Sequence, residues 1–198
     1  MKKAAILILV LIIFQANACT HRHKVAIEPQ LFVKLTNDGA LKRLDLKIID
    51  KRRSKNFYLN EGELGTAKVS ISPHSGLSDT LRDSVKKALN QKGFRVSPIN
   101  VGLPISLAIE ILHTRFKIFR EGTEFRQIMK SIFRVSAING SQSFSKVYTG
   151  NAMAEQAVPV GKFLNEKLIN QGIQRGLQKM LDDFQLIRFL SSHYKGER

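Results

Sequence analysis

The hydrophobic positions along the chain change their spacing several times, and each spacing predicts a different element. In the first third, three segments are candidate strands, and in the second of them Leu44, Leu46 and Ile48 alternate with Asp45, Lys47 and Ile49. These segments are residues 26–34, 43–50 and 67–71. Apolar residues three and four apart then predict a helix, with Ser78 or Asp79 as its cap and Gly93 as the left-handed residue after its end. Three strands and one helix are therefore expected here.

From Ile105 the spacing becomes two and predicts a meander of three long strands. A turn at 120–123 separates the first two strands, and the hairpin signal Asn139-Gly140 separates the second from the third. An apolar stripe after Pro159 predicts a long helix, and Asp183 predicts the cap of a short last helix over 184–190. We therefore expect an α+β fold. Its antiparallel sheet combines the C-terminal three-stranded meander with the N-terminal strands, and the mid-chain helix and long C-terminal helix pack on one face.

The first 18 residues have the pattern of a signal peptide. Lys2 and Lys3 precede an apolar run over residues 4–14, and Ala16-Asn17-Ala18 supplies small residues for cleavage. The apolar run is too short for a transmembrane helix, which needs about 20 residues. We therefore expect an exported protein with a signal peptide (1–18), a polar tether (19–25) and a single α+β domain (26–198).

Cys19 would be the first residue after cleavage, and it is the only cysteine in the chain. A cysteine at this position resembles the lipobox of bacterial lipoproteins, in which the thiol and the new amino group are acylated. The lipobox prefers Leu where this chain has Ala16, and Ala-Asn-Ala also suits ordinary signal peptidase. The resemblance implies a lipid anchor at Cys19, and the alternative is a secreted soluble protein with an N-terminal thiol. Because Thr20 replaces the Asp that retains enterobacterial lipoproteins in the inner membrane, the resemblance also implies the periplasmic face of the outer membrane.

The chain is strongly basic, with 32 Lys and Arg residues against 16 Asp and Glu residues and a formal net charge of +16. This balance favours an anionic partner or surface. A symmetric hairpin around 120–123 predicts the cross-strand pairs Lys117–Arg126, Arg115–Ile128 and His113–Lys130. That register places five basic residues on one face, namely Arg115, Lys117, Arg126, Lys130 and Arg134. The other face would carry Phe116, Ile118, Phe125, Met129 and Phe133.

Two interpretations of this basic face remain open. Like charges opposite each other destabilise a sheet, which favours an anion that neutralises them: phosphorylated lipid A, anionic phospholipid head groups or an acidic protein. The alternative is a solvated polar face in a generally basic protein. A second basic cluster, residues 51–55, is close to the expected tether and is placed to contact head groups, although an exposed loop is the simpler interpretation.

No motif in the sequence predicts catalysis. His21 and His23 have no third metal ligand close by. The remaining histidines, His74, His113 and His193, have no nucleophile or acid at the spacing of a triad. We therefore expect a protein that is not an enzyme and that has no metal site and no cofactor.

Two glycines lie four residues apart inside the long C-terminal helix. Gly172 and Gly176 each cost about 1 kcal/mol relative to Ala in a helix interior. One explanation is a close helix contact across a dimer. The other, which we favour, is a groove that lets the helix lie close on its own sheet.

The order of the elements resembles a known family. The residues that carry the resemblance are the helix end Asn-Gln-Lys-Gly-Phe-Arg-Val at 90–96, the strand with Leu107-Ala108-Ile109, the long hairpin, the C-terminal helix and the segment 184–190. Together with the lipobox-like start, they are similar to the uncharacterised proteobacterial lipoproteins of the YajG type, over residues 67–190. The resemblance implies a periplasmic α+β lipoprotein and brings no catalytic motif.

Three functional hypotheses follow from these observations. The preferred one is a lipid-anchored periplasmic binding or scaffold protein that engages an anionic lipid or an envelope protein assembly. The second is an auxiliary lipoprotein subunit of a transport or secretion complex, which rests on analogy of fold alone. Nucleic-acid binding is the least favoured, because export removes the partner and Trp, a strong stacking residue, is absent.

Overall fold

The computed structural model describes residues 20–60, 68–97, 103–157 and 162–192. The expected signal peptide and Cys19 lie outside these residues. The strands are β1 (Thr20–Val25), β2 (Arg43–Asp50), β3 (Tyr58–Asn60), β4 (Lys68–Pro73), β5 (Arg95–Ser97), β6 (Ile105–Glu121), β7 (Glu124–Asn139) and β8 (Gln142–Gln156). The helices are α1 (Leu77–Gln91), α2 (Lys162–Leu181) and α3 (Phe184–Ser191). No helix in this part of the chain is long and apolar enough to cross a membrane.

The predicted α+β fold is confirmed, and its centre is a five-stranded sheet in the order β5-β2-β6-β7-β8. The meander of β6, β7 and β8 is antiparallel, as expected. The expectation of an antiparallel sheet was wrong for the strands on the other side, because β2 runs parallel to β6 and β5 runs parallel to β2. The physical reason is α1, which packs on β2 and β5 and returns the chain to the end at which β2 began.

A smaller three-stranded sheet has the order β1-β4-β3, in which β1 is parallel to β4 and β3 is antiparallel to it. The segment predicted to be a polar tether therefore pairs as a strand over Thr20–Val25. The prediction missed this because the residues are mostly polar and their partner, β4, comes much later in the chain. Val25 is fully buried, so the folded body begins at the first described residues.

The predicted strand at 26–34 is an extended segment with no strand partner. It lies along α2, whose side chains satisfy its backbone. Asn170 donates to the carbonyl of Ala26 at 2.9 Å. Gln178 accepts from the N–H of Phe32 at 3.0 Å and donates to the carbonyl of Phe32 at 2.8 Å. One side of the segment packs on the core through Ile27, Leu31 and Val33, but a helix rather than a strand supplies the hydrogen bonds.

The helix ends partly follow the predictions. α1 starts at Leu77 with Gly76 as its cap, so the expected cap at Ser78 or Asp79 was wrong by two or three residues. Gly93 after α1 has the predicted left-handed conformation, with φ at +84°. Asp183 is the predicted cap of α3, since its carboxylate accepts the backbone N–H groups of the second and third helical residues. This carboxylate also accepts the Tyr148 hydroxyl at 2.6 Å.

The paired glycines of α2 place this helix close against its own sheet, as favoured from the sequence. Ser131 of β7 donates its hydroxyl to the carbonyl of Gly172 at 2.8 Å. A Cβ atom on Gly150 of β8 would overlap the backbone of both Gly172 and Gly176. A Cβ on Gly176 would lie 2.7 Å from the ring of Phe133. The covered face of the sheet and α2 therefore meet without room for side chains at this crossing.

Candidate functional site

The helices cover one face of the five-stranded sheet, and we call the opposite face the open face. Along β7, buried residues alternate with more exposed ones from Gln127 to Asn139, as expected when one layer covers the sheet. Four large apolar side chains on the open face are highly exposed to solvent. They are Phe119 (42%), Ile138 (51%), Val147 (52%) and Met153 (60%). These side chains are spread along the face, since Phe119 lies opposite Arg126 and Val147 lies opposite Arg134.

The basic residues that the sequence placed on one face lie together on the open face. They are Arg115, Lys117, Arg126, Lys130 and Arg134. The apolar residues predicted for the other face point towards the helices, with Phe116, Met129 and Phe133 buried and Ile118 and Phe125 partly buried. The division of this hairpin into two faces is therefore as expected.

The cross-strand partners differ from the predicted ones. The turn consists of Gly122 and Thr123, with Gly122 at φ +63°, and Glu121 pairs with Glu124. The prediction assumed a four-residue turn, so Lys117–Arg126, Arg115–Ile128 and His113–Lys130 were wrong by two residues. The observed pairs are Lys117–Ile128, Arg115–Lys130 and His113–Ile132. A slip of two residues keeps every side chain on its face, which explains why the face was right while the partners were wrong.

A β-bulge in β6 turns the basic residues outward. The register shifts by one residue between Ile111 and His113, which leaves Leu112 without a partner on β7. Before the bulge, the odd-numbered residues of β6 face the helices, and after it the even-numbered residues do. Phe116 is accordingly only 1% exposed. Without the bulge, the strand would bury Arg115 and expose Phe116.

Acidic neighbours neutralise the outer members of the basic set. Arg134 pairs with Glu110 of β6 at 3.1 Å. Arg126 pairs with Glu155 of β8 at 2.7 Å. These four side chains are partly exposed, so each pair contributes little to stability, but the local charge around each pair is balanced.

The other three basic residues, which we call the central cations, are Arg115, Lys117 and Lys130. Arg115 lies directly opposite Lys130. Within the described ranges, no acidic side chain pairs with any of the three. The ammonium of Lys117 lies 5.5 Å from the centre of the Phe119 ring. Two like charges in direct cross-strand contact destabilise the sheet, so the centre of the open face is an electrostatically unsatisfied site.

The pKa of His113 is affected by this positive potential. Partial burial and then the charges of Arg115, Lys130, Arg52 and Lys117 lower the pKa of its imidazole below the ordinary value. The neutral imidazole is therefore the favoured form at neutral pH. The predicted register placed His113 opposite Lys130, and the observed register keeps it on the same strand as Arg115 and Lys117, opposite Ile132.

The second basic cluster, residues 51–55, is fastened to β6 by a buried arginine. Arg52 is 6% exposed, and its guanidinium makes two hydrogen bonds of 2.9 Å to the carboxylate of Asp50. It also donates to the Thr114 hydroxyl at 2.6 Å. Burial alone would raise the pKa of Asp50, but the hydrogen bonds from Arg52 and Lys55 outweigh it and hold that pKa below the ordinary value. The loop is therefore a fixed part of the basic surface, although its other residues are exposed.

Metal-ligating side chains do not cluster in the part of the chain that the structure describes. Among the described residues, no group of three or more His, Cys, Asp or Glu side chains could hold a metal ion. Cys19 and His193 lie outside these residues. The prediction of a lipid on Cys19 therefore stays a prediction.

Comparison with one solved structure, at a TM-score above 0.5, supports the fold, and two more are similar at lower scores. Protein XCC0632 from Xanthomonas campestris has a TM-score of 0.51 at 13% identity, and the match covers 85% of this chain and 95% of that one. A minor lipoprotein from Acinetobacter baumannii has a TM-score of 0.44 at 12% identity, with coverages of 72% and 91%. A putative neuraminyllactose-binding hemagglutinin homolog from Helicobacter pylori has a TM-score of 0.45 at 11% identity, with coverages of 84% and 97%. No curated protein sequence matches the chain.

A family model settles the relationship at the level of sequence. The model, Lipoprotein_16, is described as an uncharacterised lipoprotein and matches residues 29–191. This match begins within the extended segment after β1 and includes every described element from β2 to α3. Lipoproteins are held at the cell envelope, so the family indicates an envelope association. The chain belongs to this family of uncharacterised lipoproteins.

Proposed function

We propose that the protein is a non-catalytic lipoprotein of the YajG type, anchored through acyl chains on Cys19 to the periplasmic face of the outer membrane. We further propose that its open face binds the anionic head groups of the membrane. The observation that carries the proposal is the direct opposition of Arg115 and Lys130 at the centre of the open face, with no acid paired to either among the described residues.

The magnitude is sufficient for a membrane contact. Each Lys or Arg near an anionic leaflet contributes about 1 kcal/mol. The central cations together would contribute about 3 kcal/mol, which is more than a hundredfold in affinity. The exposed side chains of Phe119 and Met153 lie on the same face and are suited to the boundary between head groups and acyl chains.

The position of the first strand supports the same arrangement. β1 begins at Thr20, immediately after the proposed anchor, so the described fold leaves no long spacer. The small sheet containing β1 is tied to β6 where the carbonyl of Phe57 accepts the N–H of Phe116 at 2.9 Å, next to Arg115. An anchor at Cys19 would hold this part of the molecule within a few residues' reach of the membrane.

The test separates the open face from the anchor. Residues 19–198 carrying Cys19→Ser would be floated with phosphatidylcholine vesicles, with and without phosphatidylglycerol. We expect binding that requires phosphatidylglycerol and that weakens with salt. The double variant Arg115→Gln with Lys117→Gln should bind about 30-fold more weakly. The matched control, Lys86→Gln with Lys87→Gln, removes the same charge from exposed positions of α1 and should change binding less than threefold. Equal losses in both variants would contradict a role for the open face.

The anchor has its own test. Wild type and Cys19→Ser would be isolated from membranes in mild detergent, and their intact masses would be measured by mass spectrometry. A lipid-sized mass increment on wild type alone is expected. An unmodified mass that begins at residue 19, with the protein in the soluble fraction, would contradict the lipoprotein proposal.

A second candidate is an auxiliary subunit of a transport or secretion complex. The observation in its favour is the exposure of Ile138 and Val147 on β7 and β8, which lie at or beyond the register of Arg134 and so away from the central cations. A protein partner would cover these apolar side chains. This candidate predicts stoichiometric co-purification with a larger complex that moderate salt does not disrupt, whereas the membrane proposal predicts salt-sensitive binding.

A further inference from the structure

We propose that a basic cavity beside the β-bulge binds a phosphomonoester group. The cavity has a volume of about 560 Å³ and lies between the 51–55 loop and the residues of β6 that follow the bulge. The basic residues that line it are Lys51, Arg52, Arg53, His113 and Arg115. Ser54 and Asn56 add polar groups, and no acidic side chain is among the described residues that line it.

Three of the lining cations are available to a ligand. Lys51, Arg53 and Arg115 form no side-chain hydrogen bond or ion pair within the described ranges. The carboxylate of Asp50, which directly precedes the loop in sequence, is already bound by Arg52 and by Lys55, whose ammonium lies 3.0 Å from it. An anion in the cavity would therefore meet unpartnered positive charge from both the loop and the strand.

The frame of the cavity is rigid before any ligand arrives. Arg52 is buried, holds the loop through Asp50 and Thr114, and lies 5.3 Å from the centre of the Phe57 ring. The N–H of Lys51 donates to the carbonyl of Ile111 at 3.0 Å, which fixes the start of the loop at the bulge. A site whose backbone is fixed in advance loses less entropy on binding than a mobile loop does.

The charge and arrangement favour a phosphomonoester over a carboxylate or a phosphodiester. A phosphomonoester carries close to two negative charges and three terminal oxygens at neutral pH, whereas the other two groups carry one charge. Three cations that approach from two elements match three terminal oxygens, and the guanidinium groups can each donate two hydrogen bonds to them. The volume admits inorganic phosphate or a small phosphorylated head group.

This inference deepens the proposed function, because Arg115 belongs to both the cavity and the open face, but it has a separate readout. The full chain in micelles of an uncharged detergent would be titrated with sodium phosphate while the imidazole signal of His113 is followed by NMR. Binding of the dianion should give a saturable shift and should raise the pKa of His113 towards its ordinary value, because the anion offsets the surrounding cations. Sodium chloride at the same ionic strength should give no saturable shift of the His113 signal. The signal of His74, which lies outside the cavity, should show no saturable shift with phosphate.

Two variants define the site. Arg53→Gln alters an exposed, unpartnered side chain and should weaken phosphate binding about tenfold without loss of folding. Lys86→Gln, on α1, removes the same charge far from the lining residues and should leave the affinity within about twofold. Absence of a saturable His113 response in wild type, or equal affinities of wild type and Arg53→Gln, would overturn the inference.

A second titration distinguishes a lipid head group from a soluble phosphate ester as the source of the phosphate group. Micelles doped with phosphatidic acid present the phosphomonoester as a lipid head group, and micelles doped with phosphatidylglycerol present only the diester. Saturation by phosphatidic acid at lower concentration than inorganic phosphate supports a lipid ligand, and the reverse order supports a soluble phosphate ester. If vesicle flotation persists while no phosphate response is seen, the cavity inference fails and the membrane proposal stands. If phosphate gives a saturable response while vesicle flotation does not occur, the membrane proposal fails and the cavity inference stands.

Discussion

Lys130→Glu should make the protein more stable and at the same time a weaker membrane binder. Lys130 lies opposite Arg115 in the sheet, so the substitution replaces a repulsive pair with an attractive one. Lys and Glu are both poor strand formers, so the substitution changes the charge with little change in strand propensity. The other cross-strand neighbour, Asn151 on β8, carries no charge and neither favours nor opposes the new carboxylate.

The size of both effects follows from the geometry. Removal of the like-charge contact and gain of an opposite-charge contact contribute roughly 0.2–1 kcal/mol each, or about 1 kcal/mol together. For a chain of this length that corresponds to a rise in Tm of about 2–4 °C. At the membrane, the same exchange replaces one attractive charge with one repulsive charge. It should cost about 2 kcal/mol, or roughly a 30-fold loss of affinity for anionic vesicles.

The assay pairs urea unfolding with vesicle flotation at two salt concentrations. Both effects should shrink at high salt, because exposed charges are screened. Lys86→Glu is the matched control, since it makes the same change of charge on the exposed side of α1 and should leave vesicle binding within about threefold. If Lys130→Glu is no more stable than wild type, the reasoning about the opposed cations is refuted. If vesicle binding is unchanged, the open face is not the binding surface.

Three further predictions concern the fold. Gly150→Ala should destabilise the protein by at least about 3 kcal/mol in urea unfolding, because its Cβ would overlap the backbone of α2. Gly172→Ala should cost about 1 kcal/mol less than Gly150→Ala, because its Cβ would meet side-chain atoms of Met129 rather than the backbone of α2, and because Ala has the higher helix propensity; equal costs would contradict this account. Gln127→Leu should raise the free energy of unfolding by about 1–2 kcal/mol, because Gln127 is fully buried and its amide has no hydrogen-bond partner; a loss of stability would show that the amide is satisfied. Asp183→Ala should cost about 2 kcal/mol at pH 7. Its hydrogen bonds hold the pKa of Asp183 below the ordinary value although burial opposes them, so the difference from wild type should shrink from about pH 5 to about pH 2, and a constant difference would contradict it.

The features that were predictable from the sequence are those whose causes are local. Asp183 caps α3 because a carboxylate at that position reaches the free N–H groups of the first turn. Gly93 follows α1 because glycine tolerates positive φ. The two faces of the β6–β7 hairpin follow from the alternation of charged and apolar residues. Each of these signals lies within a few residues of the structure that it predicts.

The features that were missed depend on distant partners or on single-residue geometry. The strand at Thr20–Val25 forms by pairing with β4, and no local sequence pattern predicts this pairing. The hairpin partners depend on whether the turn has two residues or four, a choice that the sequence around Gly122 did not make clear. The bulge at Leu112 was readable in principle, because the apolar positions of the sequence change from odd numbers up to Ile111 to even numbers at Phe116 and Ile118. A continuous strand cannot bury both sets.

The distribution of charge across the open face argues against general basicity as its explanation. Arg134 and Arg126, at the two sides of the basic set, each have an acid on the neighbouring strand at hydrogen-bonding distance. Between them, Arg115 and Lys130 face each other, and the bulge that exposes Arg115 leaves one residue of β6 without a partner. A protein that merely carried excess charge would gain stability from one glutamate at either central position. The sheet instead retains a repulsive pair and an interrupted ladder at one place, next to the 51–55 loop, where the carboxylate of Asp50 at the end of β2 is already bound by Arg52 and Lys55. Both costs are offset if an anion binds there, so the unsatisfied charge is best understood as one half of a binding site.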